Sequence, residues 1–256
     1  MKGSRTVRRG RRRTVIVGDV HGCAHELSAL LDLIHFGTGD RLVLVGDVLA
    51  RGPDSIGALD IVRQTGAVLV RGNHEERLLT TRVDDDHPLG WKAHPGRSAK
   101  EAKPLGRIHA DVAARLRPVD WSLLDASPLY VDLPEHGVRV VHAGVVPGVP
   151  IEDQERSTLL TIRTLGSHNE ALEKRGPVLW GSRYNGGPHI VFGHHARAEV
   201  QLHPWATGLD TGCVYGGSLT AMVLGDGEPV PIDIAARRRL LVQLPAERAY
   251  YGLARH

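Results

Sequence analysis

Thr14-Val-Ile-Val17 is a short, largely β-branched run closed by Gly18-Asp19-Val20-His21-Gly22, and the pattern recurs along the chain. Arg41-Leu-Val-Leu-Val45 runs into Gly46-Asp47, and Ala67-Val-Leu-Val70 runs into Arg71-Gly72-Asn73-His74-Glu75. Short apolar runs bounded by glycine predict strands buried on both faces. Between the first two, Leu27, Leu30, Leu31 and Ile34 fall at i, i+3, i+4 and i+7, so residues 23–36 predict a helix. A second helix is expected over 56–64. Strand and helix alternating at this spacing predict β-α-β-α-β with a largely parallel sheet. The carboxyl ends of such strands open onto one crevice.

Further along, Val138-Arg-Val-Val141 delivers His142-Ala-Gly144, and His189-Ile-Val-Phe192 delivers Gly193-His194-His195. A polar helical stretch is expected near 152–175. Short strands are expected near 199–203, 207–210, 218–224 and 229–234, an antiparallel half following a parallel one. Residues 76–130 read as a mostly helical insertion beside the strand ends. It opens on a long irregular loop over 83–97 containing Asp84-Asp-Asp86. It continues with a capping-box pair, Ser98 and Glu101, and a helical stripe of Leu105, Ile108, Val112 and Leu116. Residues 14–256 are expected to form one domain, for which 256 residues supply ample core.

Composition narrows the class. Hydrophobic residues make up 41% and charged residues 24%, as in ordinary globular chains, and no apolar run approaches membrane-spanning length. The basic N-terminus is not followed by an apolar segment and a cleavage site, so a cytoplasmic protein with no membrane partner is expected. Two cysteines, Cys23 and Cys213, make no disulfide framework. Residues 1–13 hold seven basic side chains and no acid; subtracting these from the net +3 leaves −4 on the remainder. This arm is expected to be disordered. It could meet nucleic-acid phosphates, although a solvated tail is the plainer reading.

The strand ends carry the chemistry. Asp19 and His21 share a face because alternate residues of an extended segment point the same way. With Asp47, Asn73, His142 and His194 they make two carboxylates, one amide and three imidazoles, with no thiolate. That inventory suits a pair of divalent first-row metals such as manganese, iron, cobalt or zinc. Calcium and magnesium are disfavoured by the imidazoles. Two cations held by a shared carboxylate roughly 3.5–4 Å apart support in-line displacement at phosphorus.

Gly18-Asp-Val-His-Gly22, Gly46-Asp47 with Arg51-Gly52, and Gly72-Asn-His-Glu75 resemble the signature blocks of the calcineurin-like metallophosphoesterases related to the phosphoprotein phosphatases. His142-Ala-Gly144 and Gly193-His194 supply the later histidines. Within that superfamily, Ala50-Arg-Gly52 and Leu209-Asp-Thr-Gly-Cys-Val-Tyr-Gly-Gly-Ser-Leu-Thr220 resemble the symmetrical bis(5′-nucleosyl)-tetraphosphatases, the ApaH type. The resemblance implies an α-β-β-α sandwich of two mixed sheets with a helical insertion. It also implies hydrolysis of diadenosine tetraphosphate to two ADP by a metal-bridging hydroxide. Asp19, His21 and Asp47 would hold the first metal. Asp47 would bridge to a second, completed by Asn73, His142 and His194. His74 would be the general acid, and Arg51 and Arg183 would bind phosphoryl oxygens.

Ala50 departs from the protein phosphatases, which carry an Asp there to orient the catalytic histidine. Without that carboxylate, acid catalysis by His74 is expected to be weaker. A serine alkoxide needs that proton, whereas a nucleoside diphosphate leaves through a terminal phosphate whose second pKa is about 6. Ala50 therefore favours phosphoanhydride chemistry. Alternative readings are a Ser/Thr protein phosphatase and removal of nucleoside-tetraphosphate caps from 5′-capped RNA. Trp91, Lys92, Tyr184 and Tyr215 are candidate substrate contacts, with Trp205 and His94 as further loop positions.

Overall fold

The computed structural model describes residues 12–82 and 105–252. β1 (Thr14–Val17), β2 (Arg41–Leu44) and β3 (Val68–Leu69) pair in parallel, Val17 opposite Leu44 and Leu44 opposite Leu69, as the glycine-bounded runs predict. The crossovers are α1 (Ala24–Leu33) and α2 (Ser55–Thr65). Asp54 starts α2 by accepting from the Gly57 N–H at 2.9 Å, and Gly66, at φ 64°, ends it.

The stretch expected as an insertion over 76–130 holds the later part of α3 (Asn73–Thr81), then α4 (Arg107–Ala113) and α5 (Pro118–Ala126). Its expected stripe is present, with Val112 buried and Leu105, Ile108 and Leu116 packed beside it on the α1–α2 core. The loop over 83–97, the Asp84–Asp86 run and the Ser98–Glu101 pair lie outside the described residues, as do Trp91, Lys92, His94 and nearly all of the basic arm.

β4 (Tyr130–Leu133) forms a hairpin with β5 (Val138–Val141). The expected helix over 152–175 is only partly present. α6 (Arg156–Thr161) is followed by a small hairpin of β6 (Thr164–Leu165) and β7 (Ala171–Leu172), because Gly166 and Asn169, at φ 62°, turn the chain back. β8 (His189–Phe192), β9 (Gln201–Leu202), β10 (Ala206–Gly208), β11 (Asp210–Thr211) and β12 (Ser218–Leu224) follow. The strand expected over 229–234 is absent. Residues there lead into α7 (Ile234–Arg238), capped by Asp233, and then into β13 (Leu241–Pro245).

Besides the β6–β7 pair, the described residues form two larger sheets, ordered β11-β12-β1-β2-β3, with β13 also on β12, and β4-β5-β8-β10-β9. The C-terminal half is mixed rather than antiparallel: β8 lies parallel to both β5 and β10, while β12 runs antiparallel to β1. The layers follow from strand periodicity. Val15 and Val17 pack with Leu27, Leu30 and Leu59 under the helices, while Ile16 between them packs with Val43, Val140, Val191 and Met222 between the sheets. In β8, Val191 faces that middle layer, and Ile190 and Phe192 face Trp180 and Leu159 on the far side. Each fully buried Val, Ile or Leu contributes about 1.5–3 kcal/mol, so both faces of these strands favour the sandwich.

Candidate metal centre

The carboxyl ends of β1, β2, β3, β5 and β8 meet at one edge of the sandwich. Asp47 is the common member of two buried donor sets: His21, Asp47 and His74 bring donor atoms within 4.8 Å of one another, and so do Asp47, His142 and His194. Asn73 completes the second, its Oδ1 lying 3.1 Å from His142 Nε2 and 2.8 Å from His194 Nδ1. Asp19 is buried beside them, both carboxylate oxygens accepting from the His194 N–H at 3.0 Å.

The backbone is shaped for this convergence. Among the described residues, His21, Asp47, Ala50, Arg51 and His194 all have positive φ, a region that non-glycine residues enter at a cost of about 1 kcal/mol or more. Gly46, at φ 110°, lets the turn after β2 pass under His142, where a Cβ would come 2.7 Å from Nδ1. Glu75 ties the turns together. Its buried carboxylate accepts from the N–H groups of Asp47 (2.8 Å), Val48 (3.0 Å) and Gly72 (2.8 Å). Asp47 in turn accepts from the His74 N–H at 2.9 Å.

Backbone carbonyls orient the imidazoles. His142 donates from Nδ1 to Val45 O at 3.0 Å, and His194 from Nε2 to Thr161 O at 3.2 Å. The opposite ring nitrogens therefore carry lone pairs, and both face Asn73 Oδ1. Burial lowers His21 to about 4 and also depresses His142 and His194, so these three rings are neutral donors at pH 7, while the same burial depresses His74 and makes its protonated form a stronger acid. Burial, then Asp210 and Asp47, push Asp19 well above the usual carboxylate range, and burial with Asp47 pushes Asp210 up to about 6. Burial would raise Asp47 too, but the facing His142, His74, His21 and His194 hold it low. Crowded buried carboxylates and convergent imidazole lone pairs are the donor chemistry that divalent cations satisfy.

Arg51 reaches over this edge, its Nη1 2.8 Å from His21 Nε2 and its guanidinium 5.8 Å from the Tyr215 ring and 5.9 Å from that of Tyr251. Tyr215 is thus beside the centre. Tyr184 is spent on packing: its ring meets Trp180 edge-on and its hydroxyl donates to Pro188 O at 3.0 Å. Arg183 is exposed at the end of the short turn Trp180–Ser182, and Trp205 lies just before β10. His195 is buried.

Residues 12–226 match the family model described as calcineurin-like phosphoesterase. The chain belongs to the calcineurin-like phosphoesterase family. Relatives include an asymmetrical bis(5′-nucleosyl)-tetraphosphatase, PrpE, of Oceanobacillus iheyensis, 28% identical over 89% of this chain and 94% of its own. A symmetrical bis(5′-nucleosyl)-tetraphosphatase of Erwinia tasmaniensis is 29% identical over 82% and 93%. Serine/threonine-protein phosphatase 1 of Salmonella typhimurium is 30% identical over 80% and 88%. A crystal structure of a protein provisionally described as a diadenosine tetraphosphatase superposes with a TM-score of 0.73 at 31% identity, covering 93% of this chain and 95% of the other. The metallophosphoesterase fold, with two mixed sheets and buried His/Asp clusters suited to a binuclear centre, is therefore established for this chain.

Three side chains at this phosphoesterase centre were not singled out in the sequence. Asp210 is buried close enough to Asp19 to perturb it, and only its place in Leu209-Asp-Thr-Gly212 marked it. Glu75 was legible as the acid three residues after the helix-capping Gly72. His109 stacks on His74 with centroids 4.8 Å apart, and nothing local distinguishes it in the α4 stripe.

Proposed function

We propose that the protein hydrolyses dinucleoside tetraphosphates, cutting diadenosine tetraphosphate at its central bridge to release two ADP. The observation that carries the reading is the pair of buried donor sets sharing Asp47, with Arg51 beside them and the buried Ala50 offering no carboxylate for phosphoester chemistry. Tetraphosphatases of both cleavage types among the relatives support the substrate class. The Ala50-Arg51-Gly52 and Leu209–Thr220 stretches favour the symmetrical cut.

In this reading Asp19, His21 and Asp47 hold one divalent ion and Asp47, Asn73, His142 and His194 the other, manganese being the leading candidate. When bound, two such ions polarise the phosphoryl group and lower the pKa of water. His74 presents Nε2 toward the cluster, 3.9 Å from Asp47 Oδ2, and donates its proton to the departing phosphate. Arg51 and Arg183 grip phosphoryl oxygens, and Tyr215 stacks near the nucleoside end.

Chromatography of the products formed from diadenosine tetraphosphate with manganese tests this. ADP as the sole nucleotide is expected. ATP plus AMP would overturn the central cut, and no nucleotide release, with phosphate freed from a phosphoserine peptide instead, would overturn the substrate class. The latter outcome is the second reading, favoured by the Salmonella relative and opposed by Ala50.

A further inference from the structure

His74 has two working edges, and they face different partners. Nε2 points toward Asp47, 3.9 Å from Oδ2. Nδ1 lies 2.9 Å from Nε2 of His109, and the two rings stack with planes 22° apart. His109 sits on α4, in the insertion, 35 residues downstream of His74, and is half-buried. Stacking of neighbouring imidazoles is common packing. The hydrogen bond is a different matter, because it engages the one ring nitrogen that must be held if the other is to present a proton.

We propose that His109 is the positioning residue of His74, an imidazole acceptor working where the related protein phosphatases use the carboxylate that Ala50 lacks. This rests on the reading of His74 as general acid. With His109 as its Nδ1–H tautomer, its Nε2 lone pair accepts from His74 Nδ1–H, and His74 keeps its second proton on Nε2, the edge facing the leaving group. The proton passes from His74 Nε2 to the departing oxygen, and His74 is left neutral with Nδ1–H still donated to His109. A neutral acceptor fixes ring orientation but stabilises the imidazolium less than a carboxylate would. The device therefore suits a leaving phosphate that needs modest proton help. On the other flank of His21, the Tyr215 and Tyr251 rings face the Arg51 guanidinium.

Two variants separate the hydrogen bond from the packing. His109→Phe keeps an aromatic ring for the stack without a nitrogen, and His109→Gln keeps a side-chain acceptor without the ring. Each is compared with the wild type, loaded with manganese, on a series of phosphate monoesters whose leaving groups run from acidic phenols to alkyl alcohols. His109→Phe is expected to leave metal content and KM unchanged. It should cost little for the most acidic phenol and about 10²-fold in kcat for the poorest leaving group, the scale of lost acid–base help. The plot of log kcat against leaving-group pKa thus steepens. His109→Gln should keep the wild-type slope. A structural role would lower all substrates by one factor, so parallel lines for His109→Phe overturn the proposal, as does a His109→Gln slope as steep as that of His109→Phe. Because the slopes are read on monoesters, they stand whether or not the wild type releases ADP from the dinucleotide, and failure of that substrate assignment is seen separately.

Discussion

Asp47 is where the residue-level chemistry concentrates. It is buried, accepts from the His74 N–H, and faces His21, His74, His142 and His194 at once. An amide in its place keeps the shape but loses the negative charge and one acceptor oxygen, so the second set loses its carboxylate and the first keeps only Asp19. Asp47→Asn is expected to lower bound metal, read by elemental analysis of the dialysed protein, and to abolish turnover at saturating manganese. Near wild-type activity would remove the two-metal reading. Most residues of this centre were legible in the sequence, because each lies just past the end of a strand and needs no long-range information to be found. Asp210 and His109 were not, since their relation to Asp19 and His74 exists only after the chain has folded across about 190 and 35 residues.

At the scale of elements, the start of α3 is the joint on which the site depends. Glu75 collects N–H groups from the turn after β2 and from Gly72, so one buried carboxylate fastens two strand ends to a helix. Glu75→Gln leaves one oxygen to accept and turns an NH2 group toward backbone donors. Each unsatisfied buried donor costs about 1–3 kcal/mol, and a loss of at least that size is expected in urea unfolding, together with weaker metal retention. Unchanged stability would mean the turns hold themselves. The β-α-β-α-β opening was readable because each element carries its own period. The β6–β7 hairpin was not: its strands are two residues each, too short for a period, and they gain order from packing on the Trp180 layer.

Over the whole molecule, the sandwich buries histidines that no metal reading needs. His189 opens β8, lies 2.9 Å from Thr207 Oγ1 and beside the buried Arg237 guanidinium, and is held down to about 3 by burial and by Arg237. Its folded pKa is depressed, so between about 6.5 and about 3 the unfolded chain binds a proton that the folded chain does not. Stability from this group is complete above pH 6.5 and is lost as pH falls toward 3. His189→Gln is expected to flatten the acid limb of stability against pH, measured by urea unfolding at a series of pH values; an unchanged limb would assign acid lability to the other buried groups.

What the sequence by itself determined is the five strands that run into the site, β1, β2, β3, β5 and β8, and the donor residues that follow them. Apolar period and terminal glycine are local properties, and a carboxyl-end ligand follows its strand wherever that strand goes. Only the tertiary structure decided that β8 lies parallel to β5, that Asp210 is buried beside Asp19, and that a histidine of α4 reaches the Nδ1 edge of His74. Those outcomes depend on which apolar faces pack against which. The burial of one sheet on another is non-directional in its driving force and is settled by the fit of side chains far apart in the chain.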